Sequence, residues 1–303
     1  MEKVIVVIGP TSVGKTKMGV ALAKELNGEV ISGDSMQIYK HMDIGTAKVT
    51  NEEMEGVVHH CIDILEPTDS YSVHDFQKVI RKKITEITNR GKVPIIVGGT
   101  GLYIKAGLYD YHFEEMDNQR DEFKEKYQDY TNEQLFAYLK EIDEQSAKIL
   151  HANNRRRVLR AIEIFETTGK KKSEMLNEQS HTCLYDAYFV GLTLPRDLLY
   201  QRINERVDIM MANGLQKEVS DLLALGLTND HQSMKAIGYK EWFAYFNGEC
   251  SLAEVIENIK KHSRQYAKRQ YTWFRNQFEV NWYDVNLDDF NQTINEVLND
   301  IKK

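Results

Sequence analysis

The stretch VIGPTSVGKTKMGVALAKEL, residues 7–26, decides the fold. It reads as the end of a strand, a glycine loop and a helix. Residues 4–8 are a continuous β-branched run, and the apolar residues of 15–26 recur at helical spacing. Between them Gly9, Pro10, Thr11, Ser12, Val13, Gly14, Lys15 and Thr16 spell G-x-x-x-x-G-K-T. Glycines so spaced let successive backbone N–H groups turn inward around an anion. Lys15 then sets an ammonium on terminal phosphates, and the Thr16 hydroxyl is the candidate ligand for Mg²⁺.

Working outward, residues 29–31 read as a short second strand that delivers Gly33, Asp34 and Ser35 at its carboxyl end. Ser72 and Asp75 form a helix-capping signal, Phe76, Val79, Ile80 and Ile87 share one helical face, and Gly91 supplies the stop. The buried strand VPIIV (93–97) runs into Gly98, Gly99 and Thr100, a second glycine turn that opens another helix. Strand and helix in alternation imply a parallel sheet with ligands along its carboxyl edge. Charged helical sequence fills 113–179, AYFVGLTL (187–194) resumes the sheet, Pro195 takes the first position of a long helix, and a last strand lies near FEVNWYDV (278–285). The fold class is therefore α/β, a P-loop NTPase-like parallel sheet core flanked by helices (1–112 and 180–303) with a helical insertion domain (113–179).

Composition is that of an ordinary globular chain: 303 residues, 42% hydrophobic, formal charge −7. No run reaches the roughly 18 apolar residues that span a bilayer, so no membrane partner is expected and the cytoplasm is the default location. Cys61, Cys183 and Cys250 are scattered without a C-x-x-C pair, as free thiols in a reducing compartment would be. The adjacent His59 and His60 do not make a metal site and read as structural. The acidic sum argues against a nucleic-acid partner, but basic residues are segregated into 154–160 with 170–172 and into 260–275.

The phosphate loop lacks its usual companion. The second apolar strand ends IIVGGT where a P-loop NTPase carries a magnesium-holding aspartate, and N-K-x-D is absent. A transferase that uses the loop to grip a leaving group fits better than a hydrolytic motor. Asp34 is either a turn or cap residue of GDS or a proton acceptor for a nucleophile. Thr100 can offer a hydroxyl to the same space. Arg202 and Arg206, one helical turn apart, suit charge neutralisation at a departing phosphate, although for Arg202 a surface salt bridge to Glu205 or Asp208 is the favoured reading.

Six ordered stretches, GPTSVGKT, ISGDSMQIYKHMDIGTAK, VGGTGLY, RRRVLRAIEIF, AIGYKEW and RQYAKRQYTWFR, together resemble the tRNA dimethylallyltransferase family across nearly the whole chain. The resemblance implies transfer of a dimethylallyl group from dimethylallyl diphosphate to N6 of the adenosine just 3′ of the tRNA anticodon, with pyrophosphate released. It implies Asp34 as general base, Thr100 at the bottom of the substrate channel, and Lys15 and Arg206 on the diphosphate. It implies contacts from Asp34, Ser35, Met36, Gln37 and Thr100, from Arg156, Arg157, Val158, Leu159 and Arg160, and from Lys235, Ala236, Ile237, Gly238, Tyr239 and Lys240 to the tRNA anticodon stem-loop. Lys261, Arg264, Lys268 and Arg275 are read as backbone contacts through charge, and Trp273 and Phe274 as core. The segment Met116, Asp117, Asn118, Gln119, Arg120 departs from the family's Pro-x-x-Arg pattern, so Arg120 receives no role. No obligate protein partner is evident. The rival readings are a P-loop small-molecule or nucleotide kinase, which would bind ATP on the same loop, and a noncatalytic RNA-binding protein.

Overall fold

A computed structural model of the chain describes every residue except 112, 114–119 and 179–181; four of the five residues at the departure from the family's pattern, 116–119, lie outside it. The described chain forms two compact units, Met1–Tyr109 with Cys183–Lys303, and Asp110–Thr182.

The first unit runs β1 (Lys3–Ile8), α1 (Lys15–Glu25), β2 (Gly28–Ser32), α2 (Asn51–Met54), β3 (His59–His60), α3 (Val73–Asn89), β4 (Val93–Val97) and α4 (Gly101–Leu108). The second holds α5 (Arg120–Tyr127), α6 (Asn132–Ile142), α7 (Glu144–Ile149), α8 (Arg155–Thr168) and α9 (Lys172–Glu178). The first then resumes with β5 (Asp186–Thr193), α10 (Arg196–Ala212), α11 (Leu215–Ala224), α12 (Trp242–Phe246), α13 (Leu252–Gln277), β6 (Asn281–Asp284) and α14 (Phe290–Ile301).

The six strands make one sheet in the order β3-β2-β4-β1-β5-β6, and every neighbouring pair is parallel. The parallel core follows from the β1 sequence: successive side chains point to opposite faces, and a sheet covered on both faces needs apolar residues at every position. Val4, Val6 and Ile8 pack on one face with Phe76, Ile80, Ile84 and Ile87 of α3. Ile5 and Val7 pack on the other with Met18 and Leu22 of α1 and Val297 of α14. Each such chain contributes about 1.5–3 kcal/mol by leaving water. The Ser72–Asp75 signal is a complete capping box at the start of α3. Pro195 stands one residue earlier than expected, at the N-cap of α10 rather than inside it.

At the amino end of the sheet, Glu29 is almost wholly buried and meets His60 (2.7 Å), Arg90 (2.5 Å) and Lys92 (3.0 Å). Burial alone would raise its pKa; the hydrogen bonds from His60, Lys92 and Arg90 outweigh it and hold the carboxyl down to about 2. His60 thus fastens the edge strand β3, and His59 Nδ1 pairs with the Val57 carbonyl (2.9 Å). Among the described residues no cluster of His, Cys, Asp and Glu could hold a metal.

At the carboxyl end, two glycines bring the ends of β2 and β4 together. A Cβ on Gly98 would lie 2.4 Å from the backbone of Gly33, so only glycine permits the approach. This contact sets Thr100 beside the Asp34–Ser35 turn.

The second unit packs Tyr127, Leu135, Leu139, Val158, Ala161 and Ile162 in its own core. Asp143, 1% exposed, accepts hydrogen bonds from the Ser146 and Ser173 hydroxyls (2.6 Å each) and from both backbone N–H groups (3.0 Å each), tying α7 to α9. On α8, Arg156 and Arg157 are exposed, Arg160 pairs with Glu163 (2.8 Å), and Leu159 is half-buried. Val158 corrects the expectation of RNA contact: its side chain is fully buried on the apolar stripe of an amphipathic helix.

Candidate active site

The glycine loop between β1 and α1 is built from unusual backbone conformations. Gly9 (φ 147°) and Gly14 (φ 109°) lie at positive φ, and a Cβ on Gly9 would meet the Leu192 carbonyl at 2.7 Å. Ser12 also has positive φ (66°), and its buried hydroxyl has no hydrogen-bond partner among the described residues. Such backbone turns aim N–H groups into a concavity at the amino end of α1, where the helix dipole adds partial positive charge. Lys15 donates from Nζ to the Pro10 carbonyl (2.7 Å), folding its ammonium back over the loop. Thr16 is the second residue of α1 and is half-buried.

Arg202 corrects the expected surface salt bridge. Its Nε donates to the Ser12 carbonyl (3.0 Å), while Glu205 pairs with Gln201 (2.8 Å) and Asp208 with Lys260 (2.6 Å). It buttresses the phosphate loop from behind. One turn on, Arg206 has no hydrogen bond or ion pair among the described residues. Its surface is open through the cavity mouth, yet its guanidinium is crowded by protein atoms and then by Arg202, which together pull its pKa below the ordinary arginine value. It stays charged.

Asp34 follows β2. Its Oδ1 accepts from the N–H groups of Met36 (2.8 Å) and Gln37 (3.3 Å), so the turn reading of GDS holds for that oxygen. Oδ2 makes no hydrogen bond among the described residues and remains able to take a proton. Thr100 sits behind this turn, accepting from the Ser35 N–H (3.2 Å) and donating to the Ser35 hydroxyl (3.3 Å).

A cavity of about 350 Å³ is lined by Thr11 and Ser12 of the phosphate loop, by Asp34, Ser35 and Met36, and by Arg206. Its far wall is made of Gly45, Thr46 and Ala47 and of Lys235, Ala236, Ile237, Gly238 and Lys240. Lys15, Thr16, Thr100 and Gln37 are not among its lining residues; Gln37 turns away to donate from Nε2 to the Thr46 (3.3 Å) and Ala47 (3.2 Å) carbonyls. Tyr239 corrects another expected RNA contact: it is fully buried, and its hydroxyl donates to Glu218 (2.7 Å).

Sequence reasoning missed the inner face of α13. Gln270, 5% exposed, accepts from the Thr11 N–H (2.9 Å) and donates to the Gly99 carbonyl (3.0 Å), clamping both glycine turns to one helix. Tyr266 lines the cavity, its hydroxyl on the Gly99 carbonyl (3.3 Å) and its pKa pushed up to about 12 by burial and by the nearby Asp34. The signal was present as a spacing of four between them, on the face opposite Lys268. Of the basic residues read as backbone contacts, Lys261 and Lys268 are exposed, Arg264 is held by Asn204 (2.6 Å) and Glu257 (2.9 Å), and Arg275 lies over the Tyr271 and Trp282 rings. Phe274 is fully buried and Trp273 packs against Gly101.

Burial first, then Arg206, lowers the Lys15 pKa to about 7, with Asp34 pulling the other way. Lys15 and Arg206, neither of them ion-paired among the described residues, stand beside the loop and suit an anion. A bound diphosphate favours the ammonium form, so binding at or slightly above pH 7 takes up a proton, and affinity falls as pH rises. Titration calorimetry with pyrophosphate in two buffers of different ionisation enthalpy reads this uptake directly. Uptake that persists in Lys15→Met, or none in the native protein, contradicts the assignment.

Known proteins resemble this chain in sequence and in fold. A family model described as "IPP transferase" matches residues 37–277. The tRNA dimethylallyltransferase of Bacillus cytotoxicus is 57% identical over 289 residues, 94% of this chain and 90% of the relative. A crystal structure of the tRNA delta(2)-isopentenylpyrophosphate transferase from Staphylococcus epidermidis is 47% identical and superposes with a TM-score of 0.75, covering 100% of this chain and 99% of that one. A eukaryotic dimethylallyltransferase acting on tRNA is 32% identical with a TM-score of 0.87, over 98% and 78% of the two chains. With the family model spanning well over half of the sequence, the chain belongs to the IPP transferase family.

Proposed function

We infer that the protein is a tRNA dimethylallyltransferase, moving the five-carbon group of dimethylallyl diphosphate to N6 of the adenosine immediately 3′ of the anticodon. The observation that carries the reading is that one cavity is lined at once by Thr11 and Ser12 of the phosphate loop, by Asp34 and by Arg206. In the proposed step the allylic C–O bond breaks and its electron pair leaves with pyrophosphate, which Lys15 and Arg206 stabilise as its charge grows. The adenine amine supplies the pair for the new N–C bond, and its proton passes to Asp34 Oδ2. Thr100 acts through Ser35, holding the Asp34 turn in place.

The target base has to leave its stack to enter such a cavity, at a cost of a few kcal/mol that close packing against the cavity walls recovers. Lys235 and Lys240 are exposed at the rim, and Arg156 and Arg157 on α8 of the second unit supply further positive charge for an RNA backbone. Mg²⁺ fits in a limited way. The Thr16 hydroxyl in the first turn of α1 would be the protein group that holds it beside a diphosphate. Bound there, the ion would neutralise diphosphate charge. Among the described residues no helix is long and apolar enough to cross a membrane, which supports a cytoplasmic setting beside tRNA.

The test is incubation with tRNA, Mg²⁺, ATP and labelled dimethylallyl diphosphate. Label in the RNA with ATP intact is expected. ADP release without transfer supports the kinase reading, and RNA binding without either reaction supports a noncatalytic protein.

A further inference from the structure

The carboxylate of Glu218 belongs to no motif and does not line the cavity, yet it collects four donors. Its Oε2 accepts from the backbone N–H groups of Asp43 (2.9 Å) and Ile44 (2.7 Å); its Oε1 accepts from Gly45 N–H (3.0 Å) and the Tyr239 hydroxyl (2.7 Å). Three consecutive N–H groups turned to one carboxylate form an anion nest, and the half-buried Glu218 in the first turn of α11 also gains from that helix dipole.

The two segments it holds are the two halves of the cavity's far wall. Residues 45–47 form one half and 235–240 the other, and they interlock: a Cβ on Gly45 would lie 2.5 Å from the Tyr239 ring, and one on Gly238 would lie 3.3 Å from the Gly45 carbonyl. Lys48 fixes the far end of the first half, bonding the Tyr39 carbonyl (2.7 Å) and pairing with Asp43 and Asp63 (2.5 Å each). None of the Glu218 partners belongs to the phosphate loop.

We propose that Glu218 is a positioning residue for the RNA side of the cavity. It sets the gap between the two wall segments into which the target base inserts, and leaves the diphosphate side untouched. The assignment rests on the reading of the cavity as the place of transfer to RNA, and its test is one of binding, so that it stands or falls separately from the transfer assay.

Glu218→Gln is the sharp variant, because whichever way the amide is turned its NH₂ faces at least one backbone N–H donor. The probes are an anticodon stem-loop RNA and inorganic pyrophosphate. The expected result is an affinity for the stem-loop about 10- to 100-fold weaker, with pyrophosphate affinity unchanged. Tyr239→Phe removes one of the four donors and should show the same split at smaller size; it carries the test if Glu218→Gln fails to fold. Equal weakening toward both probes, or no weakening toward RNA in either variant, overturns the proposal.

Discussion

Asp34→Asn is expected to lower the rate of dimethylallyl transfer by about 10²- to 10⁴-fold, the usual worth of a positioned general base. The substitution is chosen because the asparagine oxygen can still accept the Met36 and Gln37 N–H groups that Oδ1 now holds, so the turn survives. Only Oδ2 changes, from a proton acceptor into an NH₂ group. Binding of tRNA should stay at its native strength, which single-turnover rates and a separate binding titration resolve. Equal loss of rate and of affinity would mean that Asp34 serves the loop and not the proton.

Arg206→Ala comes next in size. Removing one preorganised donor from the leaving group costs about 10²- to 10³-fold in rate where the charge develops in the transition state. Arg206 has no protein partner among the described residues, so nothing in the fold is left unpaired, and the variant should melt near the native temperature. Arg202→Ala behaves differently, because that guanidinium supports the Ser12 carbonyl and its loss loosens the whole loop. The signature is a rate loss in Arg206→Ala without a loss of stability. A large drop in melting temperature instead would place Arg206 among the structural arginines.

The parallel core was legible because its signals are local. A β-branched run such as residues 4–8 and a glycine at the carboxyl ends of β1, β2 and β4 depend on neighbours in sequence, and the sheet follows from the alternation of strand and helix. The edge strand β3 was not legible, since His59–His60 is too short for any periodicity and is held by Glu29 from another strand. The limits of the second unit, Asp110–Thr182 against the 113–179 read from charge, turn on backbone pairing at its neck, where the Asp110 N–H meets the Thr182 carbonyl (2.9 Å).

At the site, Lys15 stood in a motif whose spacing states its chemistry, whereas the residues alone left Asp34 open between turn and proton acceptor, and Arg206 stood out only by its spacing from Arg202 on one helix. Tyr239 and Val158 were assigned to RNA through the motifs that contain them, and a motif does not tell which of its members point inward. Arg202 and Glu218 act on backbone groups far away in sequence, and such contacts leave no pattern that spacing can reveal; for Gln270 the spacing to Tyr266 gives the inner face of the helix but not the glycine turns it holds.

The central claim is that the phosphate loop and Asp34 act on one reaction inside one cavity. Its most direct test is nuclease digestion and mass spectrometry of stem-loop RNA after reaction with labelled dimethylallyl diphosphate. The account predicts the label on N6 of the adenosine 3′ to the anticodon, with pyrophosphate formed in equal amount. Label on another nucleotide, or pyrophosphate released without any adduct, would contradict it.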